Sequence, residues 1–466
     1  MKHLLRTPNS RKKLMIFVGD VILITLTLAG VAFLCHYFKE NATFTILRRP
    51  LKFYPLYISS VLYLAMLYMF EMHDIRQRRE DLHGFASLSI VTFISFLAMF
   101  ALAKVLQINQ TTMITLFVFH LVAIFLLYSW RMIFIKRFVA SDYFIKKVLF
   151  IGQDILTEAI LNEMKKTDYR PLGFADLEAP EFGGLKRRLK FVGTTRDLGY
   201  LIDSQKIQVA VTSLGKDLPL GVIKEIYKYK FEGIEVYDSA YFYEVLTRKV
   251  AIKPYLDGDF VPFLSIDAFL NPVFCNEKRF IDFFGALFLF IATLPLTLVI
   301  SILVRCTSRG PVFYFQERLG FQERPFKLIK FRTMVVGAES EDGPRWASKG
   351  DQRVTKLGKF LRMTRLDELP QLINILKGDI SFVGPRPIRK HFSDVIEGKV
   401  PFYSLRFTVK PGLTGWAQVN YEYGGSVEGH MEKFQYDLYY IKHASFFLDL
   451  FIILKTPQTI IRRPAW

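Results

Sequence analysis

The chain reads as an integral membrane protein. An α-helical membrane region leads into a parallel α/β middle domain, followed by an α+β domain that touches the membrane again. Three observations predict this. Four apolar segments of spanning length come first, strand-like and helix-like patterns then alternate, and a proline-interrupted apolar segment opens the last part. The 466 residues allow two or three domains. Apolar residues make up 51%, 45 of the residues are Phe, and the net charge is +19. Basic loops between apolar runs suit an anionic cytoplasmic leaflet and argue against a nucleic-acid binder. Cys35, Cys275 and Cys306 lie in or beside apolar segments at no metal-like spacing, so no disulfide is implied.

The expected spans are about Leu14–Phe38, Leu51–Met72, Phe85–Leu106 and Met113–Phe134, within a membrane region over 1–140. The first is too long for a signal peptide and lacks a small-residue cleavage site. Arg11, Lys12 and Lys13 precede it. Arg76, Arg78 and Arg79 occupy the loop after the second, and Arg131, Lys136, Arg137, Lys146 and Lys147 lie at and beyond the end of the fourth. The loop Gln107–Thr112 carries no charge. This distribution places the amino terminus and everything after residue 135 in the cytoplasm, although Arg48, Arg49 and Lys52 dissent on the outer side. Asp20 is the one acid inside the first segment and reads as a helix-packing or interface group, with a functional role as the alternative.

Over 146–245, VLFIG, IQVAVTSL and GIEVYD read as buried strands. DILTEAILNEMKK and LGVIKEIYKYK read as the helices between them, which predicts a Rossmann-like parallel sheet. Only Gly152-Gln153-Asp154 stands where a dinucleotide site needs three glycines, so nicotinamide binding is not expected. The basic stretch EFGGLKRRLK reads as a solvated surface. Residues 246–276 read as a linker to a last domain over 277–466.

That domain opens with Phe280–Val304, flanked by Lys278 and Arg279 on one side and Arg305 and Arg309 on the other. Basic flanks at both ends, with Pro295 near the middle, predict a re-entrant helix–break–helix over about 280–304. Two strand-like runs follow, GPVFYFQERLG and FKLIKFRTM. Next comes LDELPQLINILKGDISFVGPRP, where Asp367 and Glu368 stand before a helix and Gly384-Pro385-Arg386-Pro387 forms a rigid turn. An Asp ahead of such a helix is also the pattern of a plain N-cap. With Lys330, Arg332, Arg362 and the glycine-punctuated KPGLTGWAQVN, the stretch supplies cations and backbone amides for a phosphate-rich ligand beside an acid pair. The last stretch, KFQYDLYYIKHASFFLDLFIILKTPQTIIRR, suits a helix at the membrane interface, its first half also fitting a core helix.

QERLG, KFRTM, LDELPQLINILKGDISFVGPRP and KPGLTGWAQVNY, in this order after a proline-broken hydrophobic helix, closely resemble the bacterial sugar transferases. These are the polyprenyl-phosphate hexose-1-phosphate transferases that start exopolysaccharide and O-antigen assembly. The resemblance covers about 277–466, and the amino-terminal half is similar to the long-form members. It implies transfer of a hexose-1-phosphate from a UDP-sugar to undecaprenyl phosphate at the bacterial inner membrane, with release of UMP. It also implies Asp367 as nucleophile, Glu368 as support for Mg²⁺, and Lys330, Arg332, Arg362, Arg386 and Gln418 as phosphate or nucleotide ligands. A homodimer is common in the long form. One departure is Leu294-Pro295, where short-form members often carry Ser-Pro. Two rivals remain: a membrane-bound nucleotide-sugar dehydratase or epimerase, and a non-catalytic membrane scaffold. The first would need an intact glycine fingerprint and a Tyr-x-x-x-Lys after it, whereas the spacing Tyr143–Lys147 precedes the first strand. The second sits poorly with an intact acid pair.

Overall fold

A computed structural model of the chain describes residues 8–40, 54–69, 81–105, 107, 110–139, 145–178, 189–213, 219–252, 269, 271–337, 353–400, 402–421 and 427–462. Arg48, Arg49, Lys52, Arg76, Arg78, Arg79, most of 181–190 and residues 253–268 of the expected linker lie outside them. The chain divides into two compact units, Met1–Asp238 and Ser239–Trp466.

The first unit begins with α1 (Pro8–Glu40), α2 (Tyr54–Met69), α3 (Asp81–Val105) and α4 (Gln110–Phe134), the last running into a π-turn, Ile135–Val139. Ile24, Tyr63, Leu67, Met99, Phe119 and Leu127 form their shared core. Outward-facing Val61, Phe93, Ile114 and Phe125 are exposed, the surface expected of helices packed in lipid. Among the described residues of this unit, α1 and α4 are long and apolar enough to cross a membrane. The apolar stretches in α2 and α3, Pro55–Tyr68 and Leu88–Lys104, are shorter. Asp20 is buried and pairs with Arg131 at 2.5 Å. The packing role expected of Asp20 is thus an ion pair between the first and last helices of the bundle, and Arg131 serves it too.

The same unit carries an all-parallel sheet ordered β3-β2-β1-β4-β5. Its strands are β1 (Lys146–Ile151), β2 (Tyr169–Asp176), β3 (Phe191–Thr194), β4 (Val209–Thr212) and β5 (Glu235–Asp238), with helices α5 (Thr157–Met164), α6 (Leu198–Gln205) and α7 (Leu220–Phe231). The three expected strands are β1, β4 and β5. The sequence reading missed β2 because Pro171 and Gly173 interrupt its apolar pattern. In the fold, a register shift between Val148 and Leu149 accommodates them.

The second unit starts earlier than expected. Helix α8 (Ser239–Thr247), whose first residues the sequence assigned to the middle domain, is fastened to it by buried Glu244, which takes Lys442 at 2.9 Å and also contacts His443. Helix α9 (Pro272–Thr307) follows, capped by Asn271 and started by Pro272. It is one helix with Pro295 inside it, so the expected separation into two helices is not found. Antiparallel β6 (Phe313–Leu319) and β7 (Pro325–Phe331) come next, then α10 (Lys356–Thr364), a 3₁₀ turn at Leu366–Glu368 and α11 (Gln371–Lys377). Strand β8 (Ser381–Val383) pairs in parallel with β9 (Gly412–Thr414), and α12 (Lys390–Glu397) lies between them in sequence. The chain closes with α13 (Trp416–Asn420), α14 (Val427–His443) and α15 (Phe446–Arg462). Phe434, Leu438, Tyr440 and Ile441 bury α14 in the core, while α15 exposes Phe446, Phe447, Leu450 and Leu454. The one expected interfacial helix is therefore two helices, of which the first is core.

Candidate active site

The acid pair sits in the 3₁₀ turn joining α10 to α11. Helix α10 ends on Arg365 in the left-handed conformation (φ 60°), which turns the chain sharply before Leu366. Asp367 and Glu368 are consequently carried inward, 7% and 8% exposed. Neither caps α11, whose N-cap is Pro370 with no side-chain bond. The plain capping alternative therefore fails.

The two carboxylates have different surroundings. Glu368 Oε1 accepts bonds from Arg386 Nη2 at 2.7 Å, Lys330 Nζ at 3.1 Å and Arg365 Nη1 at 3.4 Å. Burial alone would raise its pKa, but these three cations hold it well below the usual carboxylate range. Asp367 Oδ1 is buried with no hydrogen-bond partner. Burial raises the pKa of this carboxyl, the nearby Glu368 charge adds to the rise, and Lys330, Arg365 and Arg362 oppose it. One acid is thus neutralised by fixed cations. The other keeps a bare lone pair in a poorly solvated place, the condition of a reactive nucleophile.

Each contributor is locked by its own element. Asn374 of α11, 1% exposed, accepts from Ile329 N at 3.0 Å and donates to Lys327 O at 2.8 Å, fixing β7 and therefore Lys330 against the acid turn. Arg386 leaves the rigid turn expected from Gly384-Pro385-Arg386-Pro387. Gly384 N donates to Thr414 O, and Gly412 N to Pro385 O, each at 2.9 Å. A side chain on Gly384 would collide with the Lys410 carbonyl, so only glycine fits there. Arg362 donates its Nε to Thr333 Oγ1 at 2.9 Å and reaches Asp367 electrostatically.

Two expected ligands are engaged elsewhere. Arg332 is buried and donates to Ser308 O (2.8 Å), Ser308 Oγ (2.7 Å) and Arg309 O (2.9 Å), so its guanidinium closes the end of α9 and does not face the acid pair. Gln418 donates to Leu413 O at 3.1 Å, and its Oε1 is buried without a partner. Arg365, which the sequence reading did not name among the ligands, belongs to the site through its bond to Glu368. The sequence reading also missed Arg406, which donates to the Arg386 carbonyl at 2.9 Å, and its ion-pair partner Asp437, which lies on a helix read as interfacial.

A model of the family described as bacterial sugar transferase matches residues 274–463, which takes in every element of this site. A UDP-glucose:undecaprenyl-phosphate glucose-1-phosphate transferase of Caulobacter vibrioides is 39% identical over 46% of this chain and 77% of that protein. The chain belongs to the bacterial sugar transferase family. Two further family members are similar over a smaller share of their own length. One is a UDP-N-acetylgalactosamine-undecaprenyl-phosphate N-acetylgalactosaminephosphotransferase of Aeromonas hydrophila, 38% identical over 49% of this chain and 52% of that protein. The other is a UDP-glucose:undecaprenyl-phosphate glucose-1-phosphate transferase of Klebsiella pneumoniae, 43% identical over 41% of each. The chain thus spans about half the length of these two curated relatives or less.

Proposed function

We propose that the protein transfers a hexose-1-phosphate from a UDP-sugar to undecaprenyl phosphate through a covalent intermediate on Asp367. The observation that carries this is the unequal acid pair, with Glu368 saturated by cations and Asp367 Oδ1 bare beside it. Asp367 Oδ1 attacks the β-phosphorus of the nucleotide sugar, and the bond to the α-phosphate oxygen breaks with its electron pair leaving on UMP. An oxygen of undecaprenyl phosphate then attacks the same phosphorus, and the acyl-phosphate bond breaks to restore the carboxylate. Lys330, Arg365 and Arg386 hold their positive charge where the diphosphate arrives, which lowers its repulsion from Asp367. The relatives' names span glucose and N-acetylgalactosamine, so the sugar is left open.

Mg²⁺ belongs to the same proposal. Among the described residues no group of three His, Cys, Asp or Glu could cage a metal. Mg²⁺ is commonly held by one or two carboxylates plus phosphate oxygens and water, and that partial set fits here. The three cations on Glu368 all fall on Oε1, and Glu368 is the carboxylate that would hold the ion together with the phosphate oxygens. When bound, the ion would supply Lewis-acid neutralisation of the diphosphate.

The proposal includes a bacterial inner membrane setting, a four-span amino-terminal region, a catalytic unit in the cytoplasm, and a re-entrant α9. At 36 residues, α9 is about 54 Å long if straight, against a hydrocarbon core of about 30 Å. Ala286 packs in one cluster with Leu328 and Leu372, and Val304 in another with Phe331 and near Leu369. A straight helix would separate Ala286 from Val304 by about 27 Å, whereas Leu328 and Phe331 are about 10 Å apart on β7. A bend between the two contacts, at Pro295, reconciles these lengths. Thr293 Oγ1 donates to Leu289 O at 2.7 Å in the turn before it, a bond that favours bending. A homodimer is part of the same reading, tested by the mass of the particle in nanodiscs.

The deciding experiment screens purified full-length protein against a panel of UDP-sugars for UMP release and for label retained on the protein. Label from the sugar-phosphate moiety on wild type but not on Asp367→Asn is expected. Release of UMP without any retained label would exclude the covalent step.

A further inference from the structure

Three side chains in adjoining turns of α9 bond three different elements of the catalytic unit, just where the helix begins its apolar run at exposed Phe280. Lys278 Nζ pairs with Asp449 Oδ2 of α15 at 2.5 Å. Arg279 is half-buried and donates Nη1 to Ile375 O at 2.6 Å and Nη2 to Leu376 O at 2.7 Å, at the carboxyl end of α11. Asp282 is 5% exposed, and its Oδ1 accepts from Phe382 N of β8 at 3.0 Å. The chain between α11 and β8 is thereby pinned to α9 at both of its ends. A guanidinium at a helix carboxyl end satisfies carbonyls left over there and suits the helix dipole. A basic residue that only oriented the membrane segment would extend its head to the lipid phosphates. Arg279 is turned inward instead.

We propose that Arg279 and Asp282 are positioning residues that hold Asp367 at a fixed height above the bilayer, and that this height serves the lipid half of the reaction. The proposal rests on the covalent reading above. From Asp367 to Ile375 is roughly 12 Å along the helical rise, so the acid turn stands about that far from the carbonyls that Arg279 holds. The headgroup region is only about 5–7 Å deep on each side of the hydrocarbon. A slide or tilt of α11 by a few ångström would therefore take Asp367 out of reach of a phosphate tethered at that depth. A dissolved nucleotide sugar meets Asp367 at any height. Only the second displacement depends on the clamp. The cations on Glu368 are unaffected by it, since Arg386, Lys330 and Arg365 all lie on elements other than α9.

The test uses full-length protein in nanodiscs and the UDP-sugar that labels wild type best. Label retained without acceptor reads the first displacement, and kcat/KM for undecaprenyl phosphate reads the second. Arg279→Met is expected to retain label as wild type does, yet to lose about 10- to 100-fold in acceptor kcat/KM, the scale of a misplacement of about 1 Å. Arg279→Lys keeps the charge and one donor, and should recover part of that loss. Asp282→Ala should show the same split, while Asp282→Asn, which keeps an acceptor for Phe382 N, should stay near wild type. Equal loss of both displacements in Arg279→Met and Asp282→Ala would make the clamp purely structural and overturn the proposal. Unchanged acceptor turnover in both would overturn it as well. If wild type retains no label from any UDP-sugar, the covalent reading itself falls, an outcome distinct from these.

Discussion

At the scale of single residues, chemistry is divided between neighbours by what their oxygens touch. Asp367 must be ionised to attack, and its pKa is raised by burial and by Glu368, against the pull of Lys330, Arg365 and Arg362. The acid limb of kcat/KM should therefore fall at a higher pH than an ordinary aspartate would give. Glu368→Gln, which removes the like charge, should move that limb to lower pH, checked by a pH–rate profile. A folded-state pKa above the unfolded one means the folded state binds the proton more tightly. The stability due to Asp367 is thus present below the unfolded pKa and lost as pH rises through the folded one. Asp367→Asn should consequently reduce turnover by about 10³-fold or more yet melt no lower than wild type at neutral pH. A scanning calorimetry trace showing clear destabilisation would contradict this. Glu368 has the opposite sign: its depressed pKa contributes stability above the unfolded value that disappears as pH falls.

At the scale of elements, the site depends on how α11 is tied to β7. Asn374 makes that tie through both ends of its amide, and its Nδ2 also donates to Asp379 at 3.0 Å. Asn374→Ala leaves a buried N–H and a buried C=O unpaired, at about 1–3 kcal/mol each. A loss of roughly 2–4 kcal/mol is expected, readable by urea denaturation, with a lower kcat as Lys330 drifts from Glu368. Asn374→Asp is the control: it keeps the acceptor for Ile329 but loses the donor and faces Asp379, so it should not rescue.

At the scale of the whole molecule, the decisive question is which side of the membrane each end of α9 meets. Native cysteines lie in the first and last turns of the helix, with Cys275 half-buried and Cys306 exposed. In a Cys35→Ser background, an impermeant thiol reagent should label both from the cytoplasmic face, Cys306 faster. Labelling from opposite faces would make α9 a span and remove the bend from the proposal.

The sequence by itself determined the order of parts and the identity of the acid pair. Apolar run lengths, flanking charges and adjacent Asp367-Glu368 are local properties, visible wherever near neighbours in the chain carry the pattern. Only the tertiary structure decided which acid is bare, since Lys330 and Arg386 come to Glu368 from different elements. It likewise turned Arg332 to the end of α9, and it brought Asp437 to Arg406 from a helix whose composition resembled a membrane surface. Electrostatic environment sums over distance in space, and distance along the chain does not report it.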